Sequence, residues 1–501
     1  MASKMLMGDT PELMEIILNN LNNEFYSLYS CALVSRHWCE MTIPILWQNP
    51  FSFCKNPLFI SQYVSSLDEN EKFVLEKYEI KINIANPLFN YARFLKVLDS
   101  DSLEWKVQKW IDFQRADSKP YVSAKWLIIN LLFNLFIKSG ATLHKLELGF
   151  YDYEINPEIF YTLGRNELFF SRLQDLSLNL YEMSDLNAEH LTVLLKILVK
   201  NTTKINVLEI EEFCYIHEPR LLRALECFIK SQELRQFSLI SGEGYSTDFY
   251  GIISALKSQN KSLQEVKLVS CVCNTEFKAL MDCKNLEILR IKDCNNVKVL
   301  KASLNTLELT NYSDFYASDI VQILKISGTL LQRLSLAIID GSIQEESLLL
   351  ETLKSFCPNI TYLNFTNIEF SIQFSELIGN LQKLQFLTLD CYEIRDDEPE
   401  ILVIQFAKLL PLTLQYLDLR ASCFNSYIDS LLNNCHAPLK YLLIDHFDYE
   451  KISKSLTEFC IRKNTLNYVG LNRYSSLDDN IKKELEGYVT MVPYERIIVN
   501  C

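Results

Sequence analysis

The chain has 501 residues, of which 49% are hydrophobic and 22% are charged. These proportions are typical of folded proteins, so they exclude wholesale disorder and a collagen-like fibre. Acidic side chains outnumber basic ones by 63 to 49, which gives a net charge of −14. A surplus of negative charge repels phosphate groups, so we expect neither nucleic acid nor an anionic membrane surface as a partner.

The first fifty residues predict a small helical unit. Residues 11–21 begin with a proline, which suits a first helical turn, and their apolar residues recur at helical spacing. A second helix is predicted over residues 28–38 and a third from Pro44 onward. About forty residues form too small a core to be stable alone, so we expect these helices to need a partner surface.

Two stretches of this unit carry a family pattern. Residues 28–38 read LYSCALVSRHW, and Leu46-Trp47 follows. This pattern resembles the F-box, the module by which substrate receptors attach to the Skp adaptor of a cullin–RING ubiquitin ligase. The resemblance implies that the adaptor-binding or core surface is formed by Pro11, Leu18, Leu21, Leu28, Val34, Trp38 and Trp47.

The two tryptophans also allow a purely structural interpretation. A repeat array needs a cap at its exposed end, and Trp38 and Trp47 would then only plug that cap. Residues 53–142 argue against a simple cap, because they place a strand-like stretch over 78–84 and several helical patterns after the opening helices. We therefore expect an F-box over 1–52, a connector or N-terminal cap over 53–142, and a third region over 143–501.

The third region is built from a repeat. From residue 143 onward a six-residue phrase, apolar-x-x-apolar-x-apolar, returns thirteen times, first at residues 143–148 and last at residues 466–471. The end of each phrase alternates like a half-buried strand, and the stretches between phrases have helical period. One such unit cannot bury its apolar face alone, so the units must stack. The predicted fold is α/β, a solenoid whose curved parallel sheet is lined by helices.

The phrase resembles the leucine-rich repeat, which implies about 13 repeats and a concave face that binds a protein. The family pattern places Asn or Cys three residues after the last apolar position, and Cys271 and Cys294 match it. Cys271 and Cys273 have no second Cys or His pair at zinc spacing, so we interpret them as buried thiols and not as metal ligands.

Aromatic residues mark the last five phrases. The residue before the middle apolar position points away from the helices, and it is aromatic each time: Tyr362, Phe386, Tyr416, Tyr441 and Tyr468. Asp418 and Arg420 share a strand with Tyr416. Either the rings stack and stabilise neighbouring repeats, or these seven residues bind a substrate protein. Binding predicts that Tyr416→Ala and Tyr441→Ala abolish capture at a nearly unchanged melting temperature, whereas stacking predicts a large loss of stability.

Nothing in the sequence predicts catalysis. The six histidines are scattered, no nucleophile motif occurs, and glycine-rich phosphate loops are absent, so we expect no catalytic, cofactor-binding or metal residues. The resemblance implies a non-catalytic substrate-recognition subunit of an SCF-type E3 ubiquitin ligase. The alternative is a leucine-rich-repeat interaction scaffold with no ligase role.

The sequence also bears on location. The apolar stretch near Met1 is too short for the core of a secretion signal. Residues 126–137 are the most apolar segment, but they are fewer than the roughly 20 needed to cross a bilayer, so we predict a buried helix there. We therefore expect a cytoplasmic and/or nuclear protein.

Overall fold

The structure is a computed structural model. It describes residues 11–21, 24–53, 56–78, 80, 87–114, 122–149, 166, 168–181, 183–202, 204–213, 218–242, 248–300, 303–313, 315–394, 398–420, 422–445, 449–471, 483 and 485–499. The chain divides into two compact units, Met1–Ile240 and Ser241–Cys501. Both units combine helices with parallel strands, so the predicted α/β class is confirmed.

Three helices open the first unit: α1 (Pro11–Asn19), α2 (Phe25–Ala32) and α3 (Arg36–Leu46). The predictions of one helix over 28–38 and a new helix from Pro44 are both wrong. The Ser35 side chain accepts a hydrogen bond from the backbone N–H of Trp38 at 3.3 Å, and this cap starts α3 inside the stretch predicted to be continuous. Pro44 lies within the last turn of α3.

The rest of the first unit contains both helices and strands, which alternate one for one among the described elements from β3 onward. Its further helices are α4 (Pro50–Phe53), α5 (Ile60–Ser65), α6 (Glu69–Glu76), α7 (Ser100–Gln114), α8 (Val122–Lys138), α9 (Asp185–Asn201) and α10 (Pro219–Ser231), and its strands are β1 (Val97–Asp99), β2 (Lys145–Gly149), β3 (Asp175–Asn179), β4 (Val207–Glu211) and β5 (Gln236–Ile240). The strands pair in chain order, all parallel. The buried helix predicted over 126–137 is confirmed as part of α8. The strand-like stretch 78–84 lies largely outside the described residues.

The second unit continues the same alternation. Its strands are β6 (Glu265–Val269), β7 (Ile288–Lys292), β8 (Thr306–Asn311), β9 (Phe315–Tyr316), β10 (Arg333–Ile338), β11 (Ile343–Gln344), β12 (Tyr362–Phe370), β13 (Phe386–Ile394), β14 (Tyr416–Asp418), β15 (Tyr441–Ile444), β16 (Tyr468–Leu471) and β17 (Thr490–Pro493). β9 and β11 form a separate pair. The others pair in chain order, all parallel.

Helices connect the strands of the second unit. They are α11 (Ile252–Ala255), α12 (Val321–Ser327), α13 (Glu346–Phe356), α14 (Ile372–Asn380), α15 (Pro399–Leu409), α16 (Ile428–Asn434) and α17 (Tyr449–Lys463). The 3₁₀ helix Thr275–Asp282 takes this place between β6 and β7, and the 3₁₀ helices Leu256–Gln259 and Cys423–Tyr427 directly adjoin α11 and α16. From α12 to α17, each helix contacts the next.

The repeated phrase forms the core of both units. Each of the thirteen phrases contains one strand, and its apolar residues are buried, as Leu176, Leu208 and Leu363 illustrate. The helical period predicted between phrases is observed in α9, where Leu191, Leu194, Leu195 and Leu198 are buried. The strand-then-helix prediction is therefore confirmed for these elements.

The turns after several strands share two features. Glu212, Ser270 and Asp293 each follow a strand directly and have positive φ angles of 53° to 58°, which reverses the chain sharply. Beyond β6 and β7, the N–H of Cys271 donates to Sγ of Cys294 at 3.3 Å, so a thiol takes the acceptor role. Cys271 and Cys273 are buried free thiols, as predicted.

Candidate functional site

The opening helices share a small core of their own. It consists of Leu18, Leu28, Ile45 and Leu46, with Leu21, Trp38 and Trp47 packed against it and partly buried. Leu18 and Leu28 are almost completely buried, so they hold the helices together and do not present a surface to an adaptor. Pro11 begins α1, and its side chain lies outside the described part of the chain.

The same helices leave large apolar side chains in water. Between 42% and 78% of each of the following is exposed: Leu13, Ile16, Ile17, Tyr26, Tyr29, Leu33 and Val34. Only Val34 among them was selected from the sequence. The signal for the others was present, because α1 carries more apolar residues than one buried stripe of Met14 and Leu18 requires. Exposed apolar side chains concentrated on α1, α2 and the turn between α2 and α3 indicate an interaction surface.

Trp47 joins the opening helices to the helices that follow. Its ring centroid lies 4.1 Å from that of Tyr91, 5.1 Å from Tyr63 and 6.1 Å from Phe59. The distances to Tyr63 and Phe59 are typical of favourable aromatic pairs, and the Tyr91 ring lies closer still. Trp47 therefore anchors the helices on the rest of the unit, and the apolar surface above is formed by other residues.

In the second unit the five aromatic residues form a ladder. Parallel register places Tyr362 opposite Phe386, and the pairing continues through Tyr416 and Tyr441 to Tyr468. Successive ring centroids lie 6.4, 5.9, 6.3 and 5.7 Å apart, and the last pair is stacked with an interplanar angle of 6°. The predicted juxtaposition is confirmed, and the spacing permits mutual stabilisation of the repeats.

The ladder is not uniformly accessible. Tyr362 and Tyr416 are at most 2% exposed, Phe386 and Tyr441 are partly buried, and Tyr468 is 37% exposed. The guanidinium of Arg333 lies 4.3 Å from the ring centroid of Tyr362 at one end. A binding partner can therefore contact Tyr441 and Tyr468 more readily than Tyr362 or Tyr416.

Asp418 and Arg420 form a double ion pair beside the ladder. Nε of Arg420 donates to Oδ1 of Asp418 at 2.9 Å, and Nη2 donates to Oδ2 at 2.7 Å. Burial by itself would lower the pKa of Arg420, but the hydrogen bonds and charge of Asp418 raise it. Asp418 is almost fully buried, so its carboxylate serves to fix the guanidinium in place.

Residues 494–499, here called the crossing segment, explain why parts of the ladder are buried. After β17 the chain turns through a 3₁₀ helix at Tyr494–Arg496, and Val499 then lies within hydrogen-bond distance of the hydroxyls of Tyr362 and Tyr416. The sequence interpretation missed this segment because it contains no repeat phrase.

Asp390 on β13 gives the ladder face a pH dependence. Burial, with the nearby charge of Asp418, raises its pKa from 3.8 to about 6. Because the folded state favours the protonated acid, this group destabilises the fold above about pH 6 and ceases to do so as the pH falls toward 4. We expect Asp390→Asn to raise the free energy of unfolding at pH 7 by about 1 kcal/mol, after allowance for solvent screening.

Urea unfolding of the parent chain and Asp390→Asn at pH 7 and pH 5 measures this effect. The gap between the two should shrink at pH 5, because the parent carboxyl is then largely protonated. Parallel stability profiles across this range would show that Asp390 titrates at an ordinary pKa.

No group of three or more His, Cys, Asp or Glu side chains among the described residues is arranged to hold a metal ion. In the same part of the chain, no helix combines the length and apolar character needed to span a membrane. The candidate sites are the apolar surface of the opening helices and the ladder face, on the burial and ring contacts given above.

The chain is similar to solved structures but not to family models or curated proteins. No family model matches the sequence, and no curated protein matches it. Among solved structures, the chain is similar to a chain in the crystal structure of the yeast Rad7 and Elc1 complex, with a TM-score of 0.39 and 13% sequence identity. The alignment covers 79% of this chain and 93% of that chain.

Proposed function

We propose that this chain is a non-catalytic substrate-recognition subunit of an SCF-type E3 ubiquitin ligase. In this proposal the opening helices are an F-box that binds the Skp adaptor, and the repeats bind a protein substrate. The observation that carries the proposal is the exposed apolar surface of α1, α2 and the α2–α3 turn. It accompanies the F-box-like residues 28–38 and Leu46-Trp47.

The energetics of that surface support a protein partner. Seven half-exposed apolar side chains would each contribute roughly 1 kcal/mol on burial, at about 25 cal/mol per Å². That total is comparable in size to the cost of association, about 4–15 kcal/mol, so burial of this surface can supply a substantial part of the free energy of binding to a protein partner. The helices already have an internal core and the Trp47 anchor, so the exposed residues are not needed for their own packing.

The proposed contribution to ubiquitin transfer is proximity. The adaptor would connect the chain to a cullin–RING ligase, and a substrate held by the repeats would stay near the ubiquitin-charged enzyme. Tethering of this kind raises the effective concentration of two reactants, so no residue of this chain needs to act as a catalyst. Under this proposal the protein works in the cytoplasm, the nucleus or both, where such ligases act.

Leu33→Asp tests the adaptor interface. Leu33 is 70% exposed, so a carboxylate there should leave the fold intact while it weakens adaptor binding about tenfold or more. Leu412→Asp is the matched control, because Leu412 is also 70% exposed and belongs to the second unit. Affinity of each full-length variant for purified Skp adaptor, with a thermal melt of each, provides the comparison.

This binding experiment distinguishes the ligase subunit from the scaffold without a ligase role. Binding by the parent and by Leu412→Asp, with loss in Leu33→Asp, supports the ligase subunit. If the unaltered chain fails to bind the adaptor, the proposal is wrong and a leucine-rich-repeat scaffold without a ligase role becomes the better interpretation.

A further inference from the structure

The crossing segment lies on the ladder face as a separate ligand would. β17 first extends the sheet by pairing in parallel with β16. The chain then turns back, since the N–H groups of Ile497 and Ile498 both donate to the carbonyl of Tyr494 at 3.0 Å. Val499 reaches the rings of β12 and β14, so six residues pass over strands that are remote from them in sequence.

Two tyrosine hydroxyls hold the backbone of Val499. Its N–H donates to the hydroxyl of Tyr416 at 3.3 Å, and its carbonyl accepts from the hydroxyl of Tyr362 at 3.3 Å. Both polar groups of one residue are thus satisfied by side chains of the ladder. Because every non-proline residue presents the same two groups, this arrangement recognises a peptide backbone and not a particular side chain.

The other end of the crossing segment is held through an aromatic ring. The guanidinium of Arg420 lies 4.1 Å from the ring centroid of Tyr494, and Asp418 fixes that guanidinium from the other side. A cation held over an aromatic face in a partly desolvated site is a favourable contact. The ladder face therefore selects an aromatic residue at one position of its occupant.

Gly470 makes room for the occupant. It lies on the same face of β16 as Tyr468, because strand side chains alternate. A Cβ atom at this position would lie 3.0 Å from Cδ1 of Ile497 and 3.2 Å from Cα of Tyr494. In the same register row, Leu443 of β15 points to this face and is nonetheless fully buried. Gly470 and Leu443 thus form an apolar depression on the ladder face, and the crossing segment packs into it.

We propose that the ladder face is a binding site for an extended peptide segment of a partner protein, and that the crossing segment occupies this site until such a partner displaces it. The matching peptide has an aromatic residue over Arg420, an apolar residue over Gly470 and a free backbone amide at the two tyrosines. That the partner is a ligase substrate rests on the proposed function. The peptide site itself does not.

Occupancy of the ladder face by the crossing segment should lower its apparent affinity for a free peptide. An attached segment competes at an effective concentration of about millimolar, so a free peptide with the same contacts binds the unaltered chain only weakly. Loosening the segment removes the competitor without touching the ladder. Peptide affinity should then rise, which distinguishes an occupied site from a merely structural contact.

The probe is a fluorescein-labelled peptide with the sequence of residues 493–499, PYERIIV. Fluorescence anisotropy compares its binding to the full parent chain and to the full-length double variant Tyr494→Ala/Ile497→Ala. We expect the double variant to bind about tenfold tighter or better. Adding Tyr362→Phe to the double variant should weaken binding about fivefold, because one hydrogen bond to the peptide is lost. A scrambled peptide is the control.

A second measurement covers the case in which the double variant does not fold. Hydrogen exchange of residues 494–499 in the parent should accelerate when the unlabelled peptide is added in excess, because free peptide replaces the segment. Equal peptide affinity in parent and folded double variant, or exchange unaffected by saturating peptide, would overturn the proposal. No adaptor is present in either assay, so their failure is separate from failure of the ligase assignment.

Discussion

Replacing Tyr416 with alanine is expected to lower the free energy of unfolding by about 3–5 kcal/mol, the usual cost of deleting a large buried ring. The side chain is fully buried between the rings of Phe386 and Tyr441, at centroid distances of 5.9 and 6.3 Å. Its hydroxyl also accepts the hydrogen bond from the N–H of Val499. Urea unfolding monitored by circular dichroism at pH 7 measures the loss.

Tyr468→Ala is the matched control for this prediction. Tyr468 is 37% exposed at the later end of the ladder, where its ring stacks on Tyr441. We expect its loss to cost about 1 kcal/mol, since much of the ring is already in water. Equal costs for the two substitutions would mean that Tyr416 is far less enclosed than the structure shows.

The burial of Tyr416 changes how capture experiments should be interpreted. The binding hypothesis predicts that a ladder ring can be removed at a nearly unchanged melting temperature, whereas the stacking hypothesis predicts a large loss of stability. For Tyr416 we expect the large loss, because the ring is buried and its hydroxyl accepts a hydrogen bond from the crossing segment. Tyr441 and Tyr468 are the ladder positions where capture and stability can be separated, since they keep exposed surface.

The ladder could be predicted because its geometry is encoded locally. Each phrase gives one strand, parallel strands pair in chain order, and equal positions in successive phrases therefore become neighbours. The crossing segment could not be predicted in this way. Its contacts join Val499 to Tyr362, which lie 137 residues apart, and no spacing in the sequence relates them.

For the opening helices, too, the sequence predicted some features and not others. Their existence followed from helical periodicity and from the F-box-like pattern, but the boundary between α2 and α3 did not. A serine cap at Ser35 interrupts a stretch whose apolar spacing reads as continuous. The inner and outer faces of α1 were also not separable from sequence, because both carry leucine or isoleucine, and the packing of Leu18 against Leu28 decides between them.

The other large effect is expected at Trp47. Trp47→Ala should destabilise the first unit by about 3 kcal/mol, because it removes the indole that packs on Tyr91 and Tyr63 and leaves a cavity between the opening helices and α5. If the proposed function is correct, adaptor affinity should fall as well, although Trp47 lies apart from the exposed surface, because a loosened unit loses more conformational entropy on binding. Leu33→Asp, in contrast, should weaken binding with little change in stability.

Trp105→Ala is the control that separates loss of an anchor from loss of any tryptophan. Trp105 lies on α7 of the same unit and is half-exposed, with Lys106 and Lys109 near its ring, so its removal should cost less than about 1 kcal/mol. Hydrogen exchange over residues 24–53 tests both variants. Faster exchange in Trp47→Ala alone supports the anchoring role, whereas unchanged protection there would show that the opening helices are held by their own core without the indole.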